Sequence, residues 1–122
     1  MNYKSKLHLT FVFKTGDATE ADRLFASHNT WMAKTHHRDG DKALLAYNVS
    51  KGDDLSNPLD PGSAPTGKTV YVLDEIYESP AGIADHWQQA MSSWDDFKAF
   101  VAWAQKCDVS AQHSGIIVNS LW

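Results

Sequence analysis

The sequence predicts an α+β fold of the ferredoxin-like βαββαβ type, a four-stranded antiparallel sheet with helices on one face. Three observations carry this expectation. Segments with period-two alternation and segments with helical stripes follow one another in the order strand, helix, strand, strand, helix, strand. The 122 residues suffice for one hydrophobic core, so residues 1–122 read as a single domain. The third strand carries Val70, Val72 and Ile76 on one side and Tyr71, Leu73 and Tyr77 on the other, so both of its faces are apolar. Helices can cover only one of those faces, and a second copy of the chain would cover the other. A homodimer is therefore expected.

From Lys6 to Lys14 the residues Leu7, Leu9, Phe11 and Phe13 alternate with His8, Thr10 and Val12, the mark of a strand with one strongly apolar face. Thr15-Gly16-Asp17 breaks the alternation. Asp17 with Glu20 three residues on resembles a capping box, and Ala21, Leu24, Phe25, His28 and Met32 form the stripe of a helix running to about Thr35. The polar turn 36–41 leads to a second strand over 43–50, with Leu45, Tyr47 and Val49 on one side. Residues 52–68 hold three of the four prolines and three of the seven glycines without periodicity, which predicts a long loop, a lid or contact arm.

The third strand spans Thr69–Glu78. Ser79 suits an N-cap and Pro80 a first helical position, so the next helix starts there, with Ile83, Trp87, Ala90 and Met91 as its stripe. Ser93 with Asp96 marks a fresh start, predicting a separate short helix over 93–106 with Phe97, Phe100, Val101 and Ala104 inward. The tail 112–122 reads as the closing strand.

Composition excludes several classes. Eleven basic residues against fifteen acidic ones give a net charge of −4 without basic clustering, which argues against nucleic acid as a partner. No apolar run approaches the roughly 20 residues that span a bilayer, and the N-terminus lacks a signal-peptide block, so no membrane association and a cytoplasmic location are expected. Cys107 is the sole cysteine and fits a reducing compartment. No His-x-x-x-His pair occurs, so no metal is expected from spacing. Nucleophile-elbow and phosphate-binding glycine motifs are absent too.

Glu75-x-Tyr77, a helix start, then Gly82-Ile83-x-x-His86 is similar to the pattern that ends the third strand and opens the second helix in antibiotic biosynthesis monooxygenase-like proteins of the dimeric α/β-barrel superfamily. The element order of the whole chain resembles that family as well. Two features depart from it: no Pro-Gly turn precedes Tyr47, and the 52–68 segment is longer than usual. The haem-degrading branch would place an Asn on the first strand and a Trp near the end of the third, where this chain has His8 or Thr10 and Tyr77. The resemblance thus implies oxidation of a small planar phenol- or quinol-like substrate by O₂ with no cofactor, in a homodimer with one pocket per subunit.

Under that reading His28, central on the first helix's stripe, is the proton acceptor, because a phenol must lose a proton before its ring gives an electron to O₂. Tyr77 and Trp31 would position the ring, Glu75 and His86 would form a supporting pair, and Trp87 and Trp94 would complete an aromatic wall. His36 and His37 fall at the helix end, where a solvated cap beside the dipole is expected. The same residues suit a second reading, a non-enzymatic ligand-binding or interaction dimer in which the histidines are structural.

Overall fold

A computed structural model describes residues 3–121 of the chain. The elements are β1 (Ser5–Lys14), α1 (Ala18–Thr35), β2 (Leu44–Leu55), β3 (Pro65–Tyr77), α2 (Pro80–Ser93), α3 (Phe97–Ala104) and β4 (Asp108–Ile116). The strands form one antiparallel sheet in the order β2-β3-β1-β4. The architecture is the α+β, ferredoxin-like one expected, with the third helix as an addition to the second crossover.

Alternation decides which residues meet the helices. On β1 the side chains of Leu7, Leu9, Phe11 and Phe13 are buried, and on β3 those of Tyr71, Leu73, Glu75 and Tyr77. The register sets Leu7 opposite Glu75, Leu9 opposite Leu73 and Phe11 opposite Tyr71, so the two central strands present one continuous inner face. The other face, with Thr10, Val12, Val70, Val72 and Ile76, stays half-buried, with no helix over it.

The interior has two ends of different chemistry. At one, Phe11, Phe25, Phe100 and Trp103 pack in edge-on and tilted pairs with ring centres 5.2–6.3 Å apart, a geometry worth about 0.5–1.5 kcal/mol per pair beyond area burial. At the other end, histidines and tryptophans replace the phenylalanines, and the functional candidates collect there.

Several boundaries differ from the sequence expectation. The two ends of the 52–68 segment belong to strands: β2 runs on to Leu55 and β3 starts at Pro65, leaving 56–64 as the loop of a hairpin. Pro65 is tolerated because it opens its strand, and Gly67 takes a positive φ of 89° that other residues rarely adopt. A register shift between Leu44 and Ala46 turns Leu44 inward and leaves Leu45 45% exposed, so the inner side of β2 is Leu44, Tyr47 and Val49.

Asp17 makes no side-chain cap. A short 3₁₀ turn over Thr15–Asp17 leads into α1, and Glu20 instead accepts from Arg23. Ser93 closes α2 rather than capping α3, whose N-cap is Asp96. Met91 and Val101 face out while Trp103 faces in, and β4 begins at Asp108, ahead of the expected 112; Trp122, the end of that expected strand, lies outside the described residues.

The start of α2 is as expected. Ser79 accepts from the Ala81 amide at 3.2 Å, donates to the Asp41 carbonyl at 2.6 Å, and is followed by Pro80 at the first helical position. Gly82 lies against β3: a Cβ there would sit 2.6 Å from Tyr77 Cδ1 and 3.0 Å from the Lys42 carbonyl oxygen. The glycine of the Gly-Ile-x-x-His motif therefore sets how closely the helix approaches the strand, and so where His86 comes to rest. Among the described residues no helix is long and apolar enough to cross a membrane.

Candidate functional site

Three elements contribute the central groups. His28 comes from the middle of α1, Glu75 from the inner face of β3 and His86 from the second turn of α2, and all three are buried, at 4%, 0% and 2% exposure. Helical spacing puts His28 in line with Leu24 and Met32, strand alternation puts Glu75 two residues from Tyr77, and the close approach at Gly82 carries His86 inward. One nitrogen of each histidine and one carboxylate oxygen of Glu75 all lie within 4.8 Å of one another.

Each of the three is held from outside the cluster. His28 Nδ1 lies 2.8 Å from the Tyr47 hydroxyl. The Tyr77 hydroxyl donates to Glu75 Oε1 at 2.5 Å. His86 Nδ1 lies 2.8 Å from His36 Nε2, whose other nitrogen is 2.9 Å from Thr35 Oγ1. Glu75 Oε2 is buried with no hydrogen-bond partner among the described residues.

Aromatic rings wall the cluster. Trp94, Trp31, Tyr47 and His86 surround His28 with ring centres at 5.0–5.7 Å. Trp31 stacks on Trp94 at 5.8 Å and 22°. Both indoles are anchored, Trp31 Nε1 donating to Ser93 Oγ at 3.1 Å and Trp94 Nε1 to Ser27 Oγ at 2.9 Å. Trp87 packs edge-on against His86 and faces His113 on β4.

Burial governs the protonation of these groups. It pushes His28 down to about 3, with nearby His36 adding to the effect, and His86 down to about 2, with His28 and His36 adding. His36 is pushed down to about 4 by burial, against the pull of Asp85. Burial raises Glu75 to about 7, opposed by the hydrogen bond from Tyr77. Tyr47 and Tyr77 are raised as well, by burial and then by Glu75. His86 Nδ1 lies 3.7 Å from Glu75 Oε1, the spacing of an ion pair, yet both shifts oppose the charged forms. His86 is neutral there, so the contact is not an ion pair whichever state Glu75 takes.

No protein-family model matches this chain, and no curated protein matches it either.

The structure thus gathers His28, Trp31, Glu75, Tyr77, His86, Trp87 and Trp94 at one end of the interior. It adds two residues that sequence reasoning had left aside. His36 is not a solvated cap: the backbone turns extended there, at ψ 144°, and the half-buried ring bonds to His86, whereas His37 remains exposed. Tyr47 had been placed inward by alternation, but nothing in the sequence paired it with His28.

Two clefts flank Tyr47 between α1 and β2. One of about 480 Å³ is lined by Phe25, Asn29, Tyr47 and Tyr71, and one of about 270 Å³ by Met32, His36, Leu44 and Tyr47. Tyr47 and His36 thus connect the clefts to the buried groups. A recess of about 500 Å³ lies on the outer side of the aromatic wall, lined by Ser27, Trp31, Ser93 and Trp94, and recesses of about 740 and 780 Å³ lie away from the cluster.

Proposed function

We propose that the protein oxidises a small planar phenol- or quinol-like molecule with O₂, as its resemblance to the antibiotic biosynthesis monooxygenase-like proteins implies, at the His28–Glu75–His86 centre. The observation that carries this reading is the unpartnered Glu75 Oε2, a buried acceptor beside the ring-walled His28 and His86. A buried acceptor without a donor is costly, and a phenol O–H is a donor attached to a ring that suits such walls. The cleft at Met32, His36, Leu44 and Tyr47 is the entry this reading requires.

In this scheme the phenol's proton passes to Glu75, and the electron-rich phenolate gives one electron to O₂, leaving a phenoxyl radical and superoxide. His28 and His86, held neutral by burial, carry no charge in this scheme. The base therefore moves from His28 to the carboxylate beside it, and Trp31, Trp94 and Tyr77 position the ring. Two copies would pair through the uncovered sheet face, where Val12, Val70, Val72 and Ile76 are half-buried, with the exposed Ile116, Val118 and Leu121 beside the β4 edge.

The test is oxygen uptake across a panel of phenols and quinols, with light scattering to read the oligomer. Uptake by the wild-type chain that is lost in Glu75→Gln supports the assignment. No uptake on any substrate, or full uptake in Glu75→Gln, removes it.

One observation favours a second reading, a binding or interaction dimer without turnover. His28 is enclosed by four rings and is 4% exposed, which is how a packed structural histidine looks. A phenol that binds stoichiometrically without consuming oxygen would select it.

A further inference from the structure

Three buried side chains from three elements each have one polar atom tied down from outside the cluster and one left over. For Glu75 the tied atom is Oε1, which accepts from Tyr77, and the free one is the unpartnered Oε2. For His86 the tied atom is Nδ1, and the proton positions follow from the chain of partners. Thr35 Oγ1 donates its one proton to the Trp31 carbonyl at 2.8 Å, so it can only accept from His36 Nδ1 at 2.9 Å. His36 Nε2 is then bare and accepts from His86 Nδ1–H at 2.8 Å. That leaves His86 Nε2 with a lone pair. For His28 the Tyr47 hydroxyl can accept from Nδ1–H at 2.8 Å, which frees Nε2 in the same way.

We propose that His28, Glu75 and His86 form a binding site for a divalent first-row transition-metal ion, held through the two Nε2 atoms and Glu75 Oε2. The donor set of two imidazoles and one carboxylate is the kind that takes Zn²⁺, Co²⁺, Fe²⁺ or Mn²⁺ and leaves coordination positions open, whereas Mg²⁺ and Ca²⁺ prefer oxygen ligands throughout. Bonds of about 2 Å to one ion place ligand atoms roughly 3–3.5 Å apart. One nitrogen of each histidine and one Glu75 oxygen already lie within 4.8 Å, and because His86 Nδ1 and Glu75 Oε1 approach to 3.7 Å, seating the ion on Nε2 and Oε2 takes a turn of those side chains. The outer partners Tyr47, Tyr77 and His36 orient the ligands, as hydrogen-bonded neighbours do around metal-bound imidazoles and carboxylates. An ion also supplies what the structure otherwise lacks, a counter-charge for a carboxylate oxygen that is fully buried and unpaired.

Spacing along the chain could not reveal this site, since the ligands are 47 and 11 residues apart and come from a helix, a strand and a second helix. The proposal concerns the same centre as the oxidation reading but rests on no reaction, and binding is read without turnover.

The full-length chain is stripped with chelator and dialysed against Zn²⁺ or Co²⁺, and bound metal is counted by mass spectrometry. About one ion per chain is expected, with visible d–d absorption for Co²⁺ and a zinc-dependent rise in Tm. Nitrogen-detected NMR of the wild-type histidines should move the Nε2 signals of His28 and His86, a readout that needs no variant to fold. Glu75→Gln and His86→Gln, checked by circular dichroism, should each lower affinity at least tenfold, while His37→Ala, on the exposed surface, should not. The proposal is overturned by a wild-type chain that retains no ion, or by an ion that survives both substitutions and is lost with His37. Oxygen uptake by the stripped chain is measured in parallel. Uptake without any ion binding overturns the metal site alone, and a bound ion without uptake overturns the oxidation alone.

Discussion

The Tyr77 hydroxyl donates to Glu75 Oε1 at 2.5 Å from two positions along the same strand, so one inner face of β3 carries both a buried carboxylate and its donor. That hydrogen bond favours the charged form of Glu75 and so holds its pKa below where burial alone would put it. Tyr77→Phe removes the donor and is expected to cost about 1–3 kcal/mol of unfolding free energy, the usual penalty for leaving a buried acceptor unsatisfied. The sign with pH is definite. Glu75 titrates higher in the folded chain than in the unfolded one, so its contribution is present below about pH 4.5 and is lost as pH rises through 7, further still without Tyr77. Denaturant unfolding of the variant should thus show a larger loss at pH 8 than at pH 5. Equal losses would mean that the hydroxyl does not act through the carboxylate.

Gly82 makes a second prediction of a steric kind. A Cβ at this position meets Tyr77 Cδ1 at 2.6 Å and backbone at 3.0 Å, so Gly82→Ala must push α2 off the strand. The expected cost is about 1–3 kcal/mol, a Tm lower by roughly 4–12 °C. Gly52→Ala, where nothing lies within 4 Å, serves as the control and should stay within about 0.5 kcal/mol of wild type. His86 rides on α2, so metal affinity or oxygen uptake should fall together with Tm in the first variant and not in the second.

The buried histidines predict how the metal-free chain responds to acid. His28, His36 and His86 are pushed down to about 3, 4 and 2 from an ordinary value of 6.5, so between those limits the unfolded chain binds protons that the folded one refuses. Stability from these three groups is complete above about pH 6.5 and is lost progressively below it. Glu75 opposes this over pH 4.5–7, one group against three, so the net slope is positive. Tm of chelator-treated protein should therefore fall between pH 6.5 and 4.5, and His36→Gln should flatten the dependence. A flat profile in the wild type would contradict neutral burial of the histidines.

Much of the frame was legible because local rules and tertiary demands agreed. The alternation of Leu7, Leu9, Phe11 and Phe13 gave β1, and the Ser79-Pro80 pair marked where α2 starts. Legibility failed where one signal had two structural outcomes. The glycines and prolines of 52–68 mark a loop or an exposed hairpin, and cross-strand pairing of Gly52 with Val70 and Asp53 with Thr69 settled it as hairpin. A bulge between Leu44 and Ala46 put Leu44 in place of Leu45 on the inner face of β2, while Tyr47 and Val49 stayed where alternation placed them, and no periodicity foretells the bulge. His28, Glu75 and His86 could each be assigned inward from their own element, but their convergence depends on how α1 and α2 cross the sheet. His36 lies beyond the helical repeat, and only the extended backbone at the helix end directs it to His86.

Ser27 joins α1 to the chain leaving α2. Its hydroxyl donates to Asp96 Oδ2 at 2.5 Å and accepts from Trp94 Nε1 at 2.9 Å, while Arg23 reaches the other oxygen of Asp96 at 3.1 Å. Trp94 is 7% exposed and stacks on Trp31, and Ser27 is the hydrogen-bond acceptor its indole N–H has. Ser27→Ala removes the acceptor and is expected to cost about 1–3 kcal/mol, most of it from the orphaned indole donor. The hydrogen bond from Ser27, and after it the one from Arg23, also lowers the Asp96 pKa. Its contribution is therefore present above the ordinary value of 3.8 and is lost as pH falls through the folded one. In the variant the Trp94 indole N–H resonance should shift and exchange faster, and tryptophan fluorescence should report a looser Trp31–Trp94 stack. Because Trp94 lies against His28 at 5.0 Å, the same change should weaken ligand or metal binding at the centre without touching any of its three polar groups. An unchanged indole resonance with unchanged stability would show that Ser27 does not anchor the wall.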